Sequence, residues 1–337
     1  MKKGKHIKKR MQKKKKLNWK KVFGLIFIVI FVGTVITSTT GKGKNEKQLE
    51  KTEEEVEEAF SDATTNEEVE VAFSNATNSE EKVEAVIEPS EDIKIKAVLE
   101  GIQEEKGLNE NNFAFFYYNI DTKTYYFYNE NKYFTAASTV KMPVAMVYYD
   151  KVENGELTLE DSLVYTEDCY EEGGGSTAYT YSVGQYVPIQ YLLKQSIINS
   201  DNTAVNILIK NLGSKEYRYD IARYAEEELP DEFYSENIIS ASYAYNVVNY
   251  LYQHQEKYVE LIDYLKQSSD GEYLKKYIDQ YEVAHKYGSY NGYVHDYGIV
   301  FGKNPYLIGV FTKGVPNADE LIANISLEIL EENEKTQ

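Results

Sequence analysis

Cysteine is nearly absent from this chain of 337 residues, and its single copy, Cys169, excludes an internal disulfide and argues against a cysteine-rich metal site. Histidine is almost as scarce. His6, His254, His285 and His295 form neither an HExxH motif nor a paired spacing, so no metal and no other cofactor is expected. No G-x-S-x-G elbow occurs. Gly173-Gly174-Gly175 lacks the following Lys-Ser/Thr of a phosphate cradle and reads as a flexible loop. What is abundant is acid and tyrosine. The net charge is −18, and 32 tyrosines read as amphipathic packing on strands and helices.

The net charge conceals three segments. Residues 1–21 hold twelve Lys or Arg and no acid, and residues 22–38, "VFGLIFIVIFVGTVITS", carry no charge at all. Seventeen apolar or small residues behind a basic flank are enough for a single span that leaves the N-terminus in the cytoplasm. The rival is a cleaved signal peptide, which would make the protein secreted. The long basic region and the missing A-x-A site favour an uncleaved anchor. The membrane segment also accounts for the lysine run, so no nucleic-acid partner is expected. Residues 39–92 are acidic: 17 acids against three lysines stand between Glu46 and Asp92. Within them "AFSDATTNEEVE" (59–70) is echoed by "AFSNATNSEEKVE" (72–84). So little apolar surface cannot drive folding, and the segment reads as a disordered stalk.

Residues 93–337 have a globular composition, enough for one folded domain, expected to be monomeric. A helix is expected over 93–107, an aromatic hairpin over 112–120 and 123–129, and helices over 187–199, 202–213 and about 242–255. Three strands follow, "YEVAHKYGS", "YVHDYGIVFG" and "YLIGVFTKG", and a capped helix closes the chain at 317–333. Strands at both ends with helices between them specify an α+β domain, its antiparallel sheet joining the two termini.

Within that frame "FTAASTVKMPVAM" puts Lys141 three residues after Ser138, near the start of a helix expected to begin at Thr139 and run toward Asn154-Gly155. Pro143 is tolerated in the first turn. Residues i and i+3 share a helix face, and a buried lysine that sheds its proton can act as a base toward that serine. The spacing alone proves little, because Ser79-Glu80-Glu81-Lys82 repeats it in an acidic run. Two further elements follow in order. Ser200-Asp201-Asn202 sits in a break between helices, and Lys286-Tyr287-Gly288 lies on a late strand.

This ordered set resembles the SxxK, SDN and KTG elements of the class A β-lactamases and penicillin-binding proteins, over roughly residues 112–333. The resemblance implies a β-lactamase/transpeptidase-like fold with a helical lobe, and an acyl-enzyme formed on Ser138. It casts Lys141 as the base and Ser200 as the relay to the leaving nitrogen. Asn202, Lys286, Tyr287, Gly288 and Ser289 become substrate contacts, with the N–H groups of Ser138 and Ser289 as oxyanion donors. The implied partner is a β-lactam or a cell-wall peptide. Alternatives are a D-Ala-D-Ala-type peptidase or esterase, or a sensor that is acylated without turnover. Two departures weigh on turnover. Tyr287 replaces the usual Thr or Ser beside the substrate carboxylate. No E-x-x-L-N glutamate is found either: Glu226-Glu227-Glu228-Leu229-Pro230 has proline in the last place, and Glu236-Asn237 is a loose substitute. His295-Asp296 is a further local pair, with little claim to take part.

Overall fold

The computed structural model describes residues 88–268 and 273–335. The basic tail, the apolar run at 22–38, the repeat and the Ser79–Lys82 spacing lie outside them. Among the described residues no helix is long and apolar enough to cross a membrane.

A two-residue strand, β1 (Ser90–Glu91), opens the fold. Asp92 caps α1 (Ile93–Lys106) by accepting from the N–H groups of Lys94 and Ile95. Strands β2 (Phe113–Asn119) and β3 (Thr124–Tyr128) form the expected hairpin. The Asn119 side chain closes its turn by accepting from the N–H groups of Asp121 and Thr122. Next come β4 (Phe134–Thr135), a 3-10 turn (Ala137–Val140) and α2 (Lys141–Glu153). The helical lobe then contributes β5 (Ser162–Val164), α3 (Thr177–Thr180), β6 (Tyr186–Pro188), α4 (Ile189–Ile198) and α5 (Asn202–Leu212). After α6 (Tyr217–Ala222) and β7 (Ile238–Ile239), α7 (Ala241–Gln253) and α8 (Val259–Lys266) complete it. The chain ends with β8 (Glu282–Tyr290), β9 (Tyr293–Phe301), β10 (Tyr306–Lys313) and α9 (Ala318–Lys335).

The main sheet runs β1-β3-β2-β10-β9-β8, and the β2–β10 pairing joins the two ends of the domain. Two expectations need correction. The sheet is mixed, because β1 pairs parallel to β3 while every other neighbour is antiparallel. The folded part also starts before residue 93, since Ser90 and Glu91 belong to that sheet. Two residues are too short to carry a periodic signal, so sequence reading placed them in the stalk.

Alternation decides which face meets what. Ala114 and Phe116 of β2 pack with α2, α4, α5 and α7 in one cluster, while Phe113, Phe115 and Tyr117 join α1 and α9 in another. Both faces are therefore buried, which is why β2 reads as a continuous aromatic run. Opposite Phe116 stands Gly309, where a Cβ would come within 2.2 Å of the Phe116 ring. The ring occupies the space that a side chain would need. β8 is left as an edge strand, with its outer rim free to line a cleft.

Candidate active site

The nucleophile turn is set by short-range bonds. Thr139 Oγ1 donates to Ala136 O at 2.6 Å, and Ala136 N–H donates to Asn237 O at 2.8 Å. Between them Ala137 is held at φ 50°, a left-handed conformation that a non-glycine residue adopts only when its surroundings impose it. The imposition is visible. Asn237 Nδ2 donates to Ala137 O at 3.1 Å, and Asn237 Oδ1 accepts from the buried Arg218 at 3.0 Å. Among the described residues no carboxylate forms an ion pair with Arg218. Its Nη1 is buried without a hydrogen bond, and its guanidinium lies 4.9 Å from the Tyr217 ring and 5.6 Å from that of Phe233.

The helix starts two residues later than expected, because Ala137–Val140 winds as a 3-10 turn and α2 begins at Lys141 itself. Tighter winding eclipses i and i+3, so Ser138 and Lys141 still share a face. Lys141 is 3% exposed. Its ammonium donates to Ser200 O at 2.5 Å, Ser200 Oγ at 3.1 Å and Asn202 Oδ1 at 2.6 Å. Burial pushes the amine down to about 7, against the pull of Asp201 and Glu171. A lysine in this position is divided between charged and neutral forms near neutral pH.

Ser200 also has a left-handed backbone, φ 52°. Its Oγ accepts from Lys141 and from Lys286 Nζ at 3.2 Å. With both lone pairs occupied by lysines, its own O–H is left to donate elsewhere. Asp201 anchors the bend beneath. It is fully buried and accepts from the N–H groups of Ala204 and Thr177 and from Thr177 Oγ1. The glycine run at 173–175 is built against this bend rather than merely flexible. Gly174 O accepts from Asn202 N–H, and a Cβ on Gly175 would fall 2.3 Å from the Asp201 carboxylate carbon.

The edge strand β8 brings the third element. A Cβ on Gly288 would lie 2.8 Å from Ser138 N and 2.9 Å from Thr139 N, so only glycine lets the strand approach the nucleophile turn. Ser289 follows it, exposed, at the end of the strand. Tyr287 does not project into open space. Its ring is 4% exposed, stacks on Tyr273 at 5.0 Å and lies 3.9 Å from Lys286 Nζ. The bulky ring meets the ammonium and the core.

The structure therefore gathers Ser138, Lys141, Ser200, Asn202, Lys286, Gly288 and Ser289 from three separate segments of the sequence. The loose glutamates behave differently. Glu227 turns to Asn246 Nδ2 at 2.5 Å, its other oxygen buried without a partner, and the part of Glu236-Asn237 that reaches the site is the amide. His295 and Asp296 point apart. Asp296 binds His285 at 2.6 Å, while His295 accepts from Thr312 N–H and donates to Thr135 O, bracing β4 against β9 and β10. Burial pushes His295 down to about 4, so it stays neutral near pH 7.

Sequence reading missed one acid altogether. Glu171 accepts from Asn202 Nδ2 at 2.7 Å and from Asn206 Nδ2 at 3.3 Å. The only nearby signal was the glycine run after it, which marks close backbone approach without saying to what.

A serine beside a buried lysine, a second serine held between two lysines and a glycine-bearing edge strand define a β-lactamase/transpeptidase-like α+β protein. Residues 94–332 match the β-lactamase enzyme family, and the chain belongs to that family. Among solved structures it is similar to PBP-A, at 22% identity over 74% of this chain and 99% of that one, with a TM-score of 0.64. A PBP-A variant described as an acyl-enzyme complex with penicillin G aligns with the same TM-score of 0.64, at 21% identity over 73% of this chain and 98% of that one. A β-lactamase from Sphaerobacter thermophilus aligns at 20% identity over 72% of this chain and 98% of the other, with a TM-score of 0.61. No curated protein matches.

Proposed function

We propose that this protein is a serine acyl-hydrolase that forms an acyl-enzyme on Ser138 from a β-lactam or a D-Ala-D-Ala-like amide. The observation that carries the reading is the line Lys286–Ser200–Lys141–Asn202, joined by hydrogen bonds beside the 3-10 turn that bears Ser138. In acylation neutral Lys141 takes the proton of Ser138 as Oγ attacks the carbonyl carbon. Backbone N–H groups of Ser138 and Ser289 hold the oxyanion. The C–N bond then breaks, and the proton passes from Lys141 through Ser200 to the leaving nitrogen. Lys286 supplies positive charge for the substrate carboxylate. Tyr287, lying over that ammonium, holds it in place instead of replacing the hydroxyl of the family pattern.

A second reading, a sensor that stays acylated, is favoured by a specific observation. Lys141 Nζ is bonded to a carbonyl, a hydroxyl and an amide, and among the described residues no carboxylate is bonded to it to activate a deacylating water. The penicillin acyl-enzyme captured in the PBP-A variant is a precedent for the first half of the reaction.

Intact mass of the full-length protein followed over time with a penicillin separates these outcomes. Wild type is expected to gain the mass of the drug while Ser138→Ala gains nothing. Persistence of the adduct for hours supports a peptidase-like or sensing role, whereas decay with accumulating hydrolysed drug makes it a working β-lactamase. Labelling of Ser138→Ala at the wild-type rate would sink the assignment of the nucleophile.

The same proposal places residues 22–38 in the membrane and the 93–337 domain outside it. Protease added to intact cells is expected to remove that domain. Its survival there, with loss only after lysis, would overturn the orientation.

A further inference from the structure

Lys286 is buried, yet its ammonium ends a flexible four-carbon stem that fixes nothing by itself. Its neighbours hold it. Nζ donates to Ser200 Oγ at 3.2 Å and to Tyr287 O at 2.9 Å, and the Tyr287 ring lies 3.9 Å away. Successive strand residues point to opposite faces, so that ring meets its neighbour's ammonium only by leaning round the free edge of β8. The Tyr273 ring stands against it, inclined by 11° with centroids 5.0 Å apart. Tyr273 opens a 3-10 turn of three residues, Tyr273–Lys275, too short to keep a place of its own. Two buried side chains of the sheet fix that place. Asp296 stands opposite Tyr287 across the β8–β9 ladder, and its Oδ2 accepts from Leu274 N–H at 3.0 Å. The same oxygen meets His285 Nδ1 at 2.6 Å, and His285 Nε2 donates to Ser268 O, ahead of the turn, at 3.2 Å. Both side chains are fully buried, and hydrogen bonds in a dry interior hold direction.

We infer that Asp296, His285 and Tyr273 are positioning residues for Lys286. The pair pins the turn, the turn presents Tyr273, and Tyr273 backs the ring that keeps the ammonium aimed at the substrate carboxylate. The inference rests on the acyl-serine reading above, in which Lys286 supplies that charge. An ammonium is a point charge with no fork to set direction, so its pull on an anion depends on distance. Without the Tyr273 ring, Tyr287 is free to swing outward and Lys286 to follow. Capture of an anionic substrate then weakens, while attack by Ser138 on an uncharged one does not change. This also gives position 287 a reason to be aromatic: its ring links the buried pair to the ammonium.

The test compares a penicillin with its methyl ester, which has the same ring and no carboxylate. Second-order acylation rates of the full-length protein are read by mass spectrometry and expressed as the ratio of acid to ester. A ratio taken on one preparation cancels the fraction of protein that is folded. Wild type is expected to favour the acid by about a hundredfold, and Lys286→Met to bring the ratio near one. Tyr273→Leu is expected to lower the ratio about tenfold, the scale of a buried cation held on a ring. Tyr273→Phe, which keeps the stack, should stay within about twofold of wild type. Asp296→Ala, which releases the turn from the sheet, should lower the ratio by at least about threefold. A wild-type ratio in Tyr273→Leu or Asp296→Ala, including an equal slowing with both compounds, would reduce these residues to a structural role and overturn the inference. So would a fall in Tyr273→Phe as large as in Tyr273→Leu, because the ring would then not be the carrier. Wild type labelled equally by acid and ester overturns the role of Lys286 and this inference, and leaves Ser138 as the nucleophile. Failure of both compounds to label Ser138 overturns the acyl-serine reading and this inference with it.

Discussion

Replacing Lys141 with methionine is expected to slow acylation of Ser138 by about a thousandfold, the scale of a lost general base. The same substitution should reveal a pH-dependent stability difference. Burial lowers the folded-state amine to about 7, whereas the unfolded chain keeps the ordinary value near 10.5. Between these limits the unfolded state binds more protons than the folded one, so the lysine's contribution to stability rises with pH. Below about 7 both states are protonated and the full cost of burying the charge is felt. Methionine never carries that cost. Lys141→Met is therefore expected to gain most over wild type at acid pH. That advantage should shrink by roughly 2.5 kcal/mol between pH 6 and pH 9, at about 1.4 kcal/mol per pH unit once wild type begins to lose its proton. Urea unfolding of both proteins at the two pH values measures this directly. A difference independent of pH would mean that Lys141 is not the depressed amine. Wild-type acylation should climb through the same region, near pH 7, as the neutral fraction grows, and then level off.

Gly288→Ala is expected to have the next largest effect, although it adds a single methyl group. That Cβ would lie 2.8 Å from Ser138 N, 2.9 Å from Thr139 N and 3.0 Å from Ala136 O. All three are backbone atoms, so no side chain can swing away to make room. Either β8 or the nucleophile turn must move, at a cost of about 1–3 kcal/mol for an overpacked contact. The turn cannot yield freely, because Asn237 and Thr139 both hold it. Movement of β8 separates Ser289 N–H and Lys286 from Ser138, and displacements of about 1 Å at a reacting centre cost roughly a hundredfold in rate. The measurement is acylation rate beside melting temperature. Near wild-type acylation in Gly288→Ala would show that the approach of β8 is unimportant to the chemistry.

Local rules made much of this protein legible in advance. The hairpin at 112–129 was readable because aromatic residues flank a turn, and α5 because an apolar helical pattern follows the break at Ser200-Asp201. The strand trio at the C-terminal end came from the same signals. The short β1 was invisible, since its pairing with β3 is a long-range event of two residues. Helices α6 and α8 carry too few residues to give a clear period.

The site divides in the same way. Spacing put Ser138 beside Lys141, because three residues is one helical turn whether the winding is 3-10 or α. The order of three motifs identified Ser200, Asn202, Lys286 and Gly288 as partners. No spacing could reveal that Tyr287 would bury its ring over Lys286, because that depends on Tyr273 arriving from another segment. Nor could it show Arg218 and Asn237 gripping Ala137, or Glu171 completing the line from Lys286. These contacts join residues that are 19 to 100 positions apart. The sequence by itself determined which chemical groups exist and which local turns present them. Burial, and with it the half-neutral state of Lys141, was decided only by tertiary packing, because desolvation is a property of everything that surrounds a group.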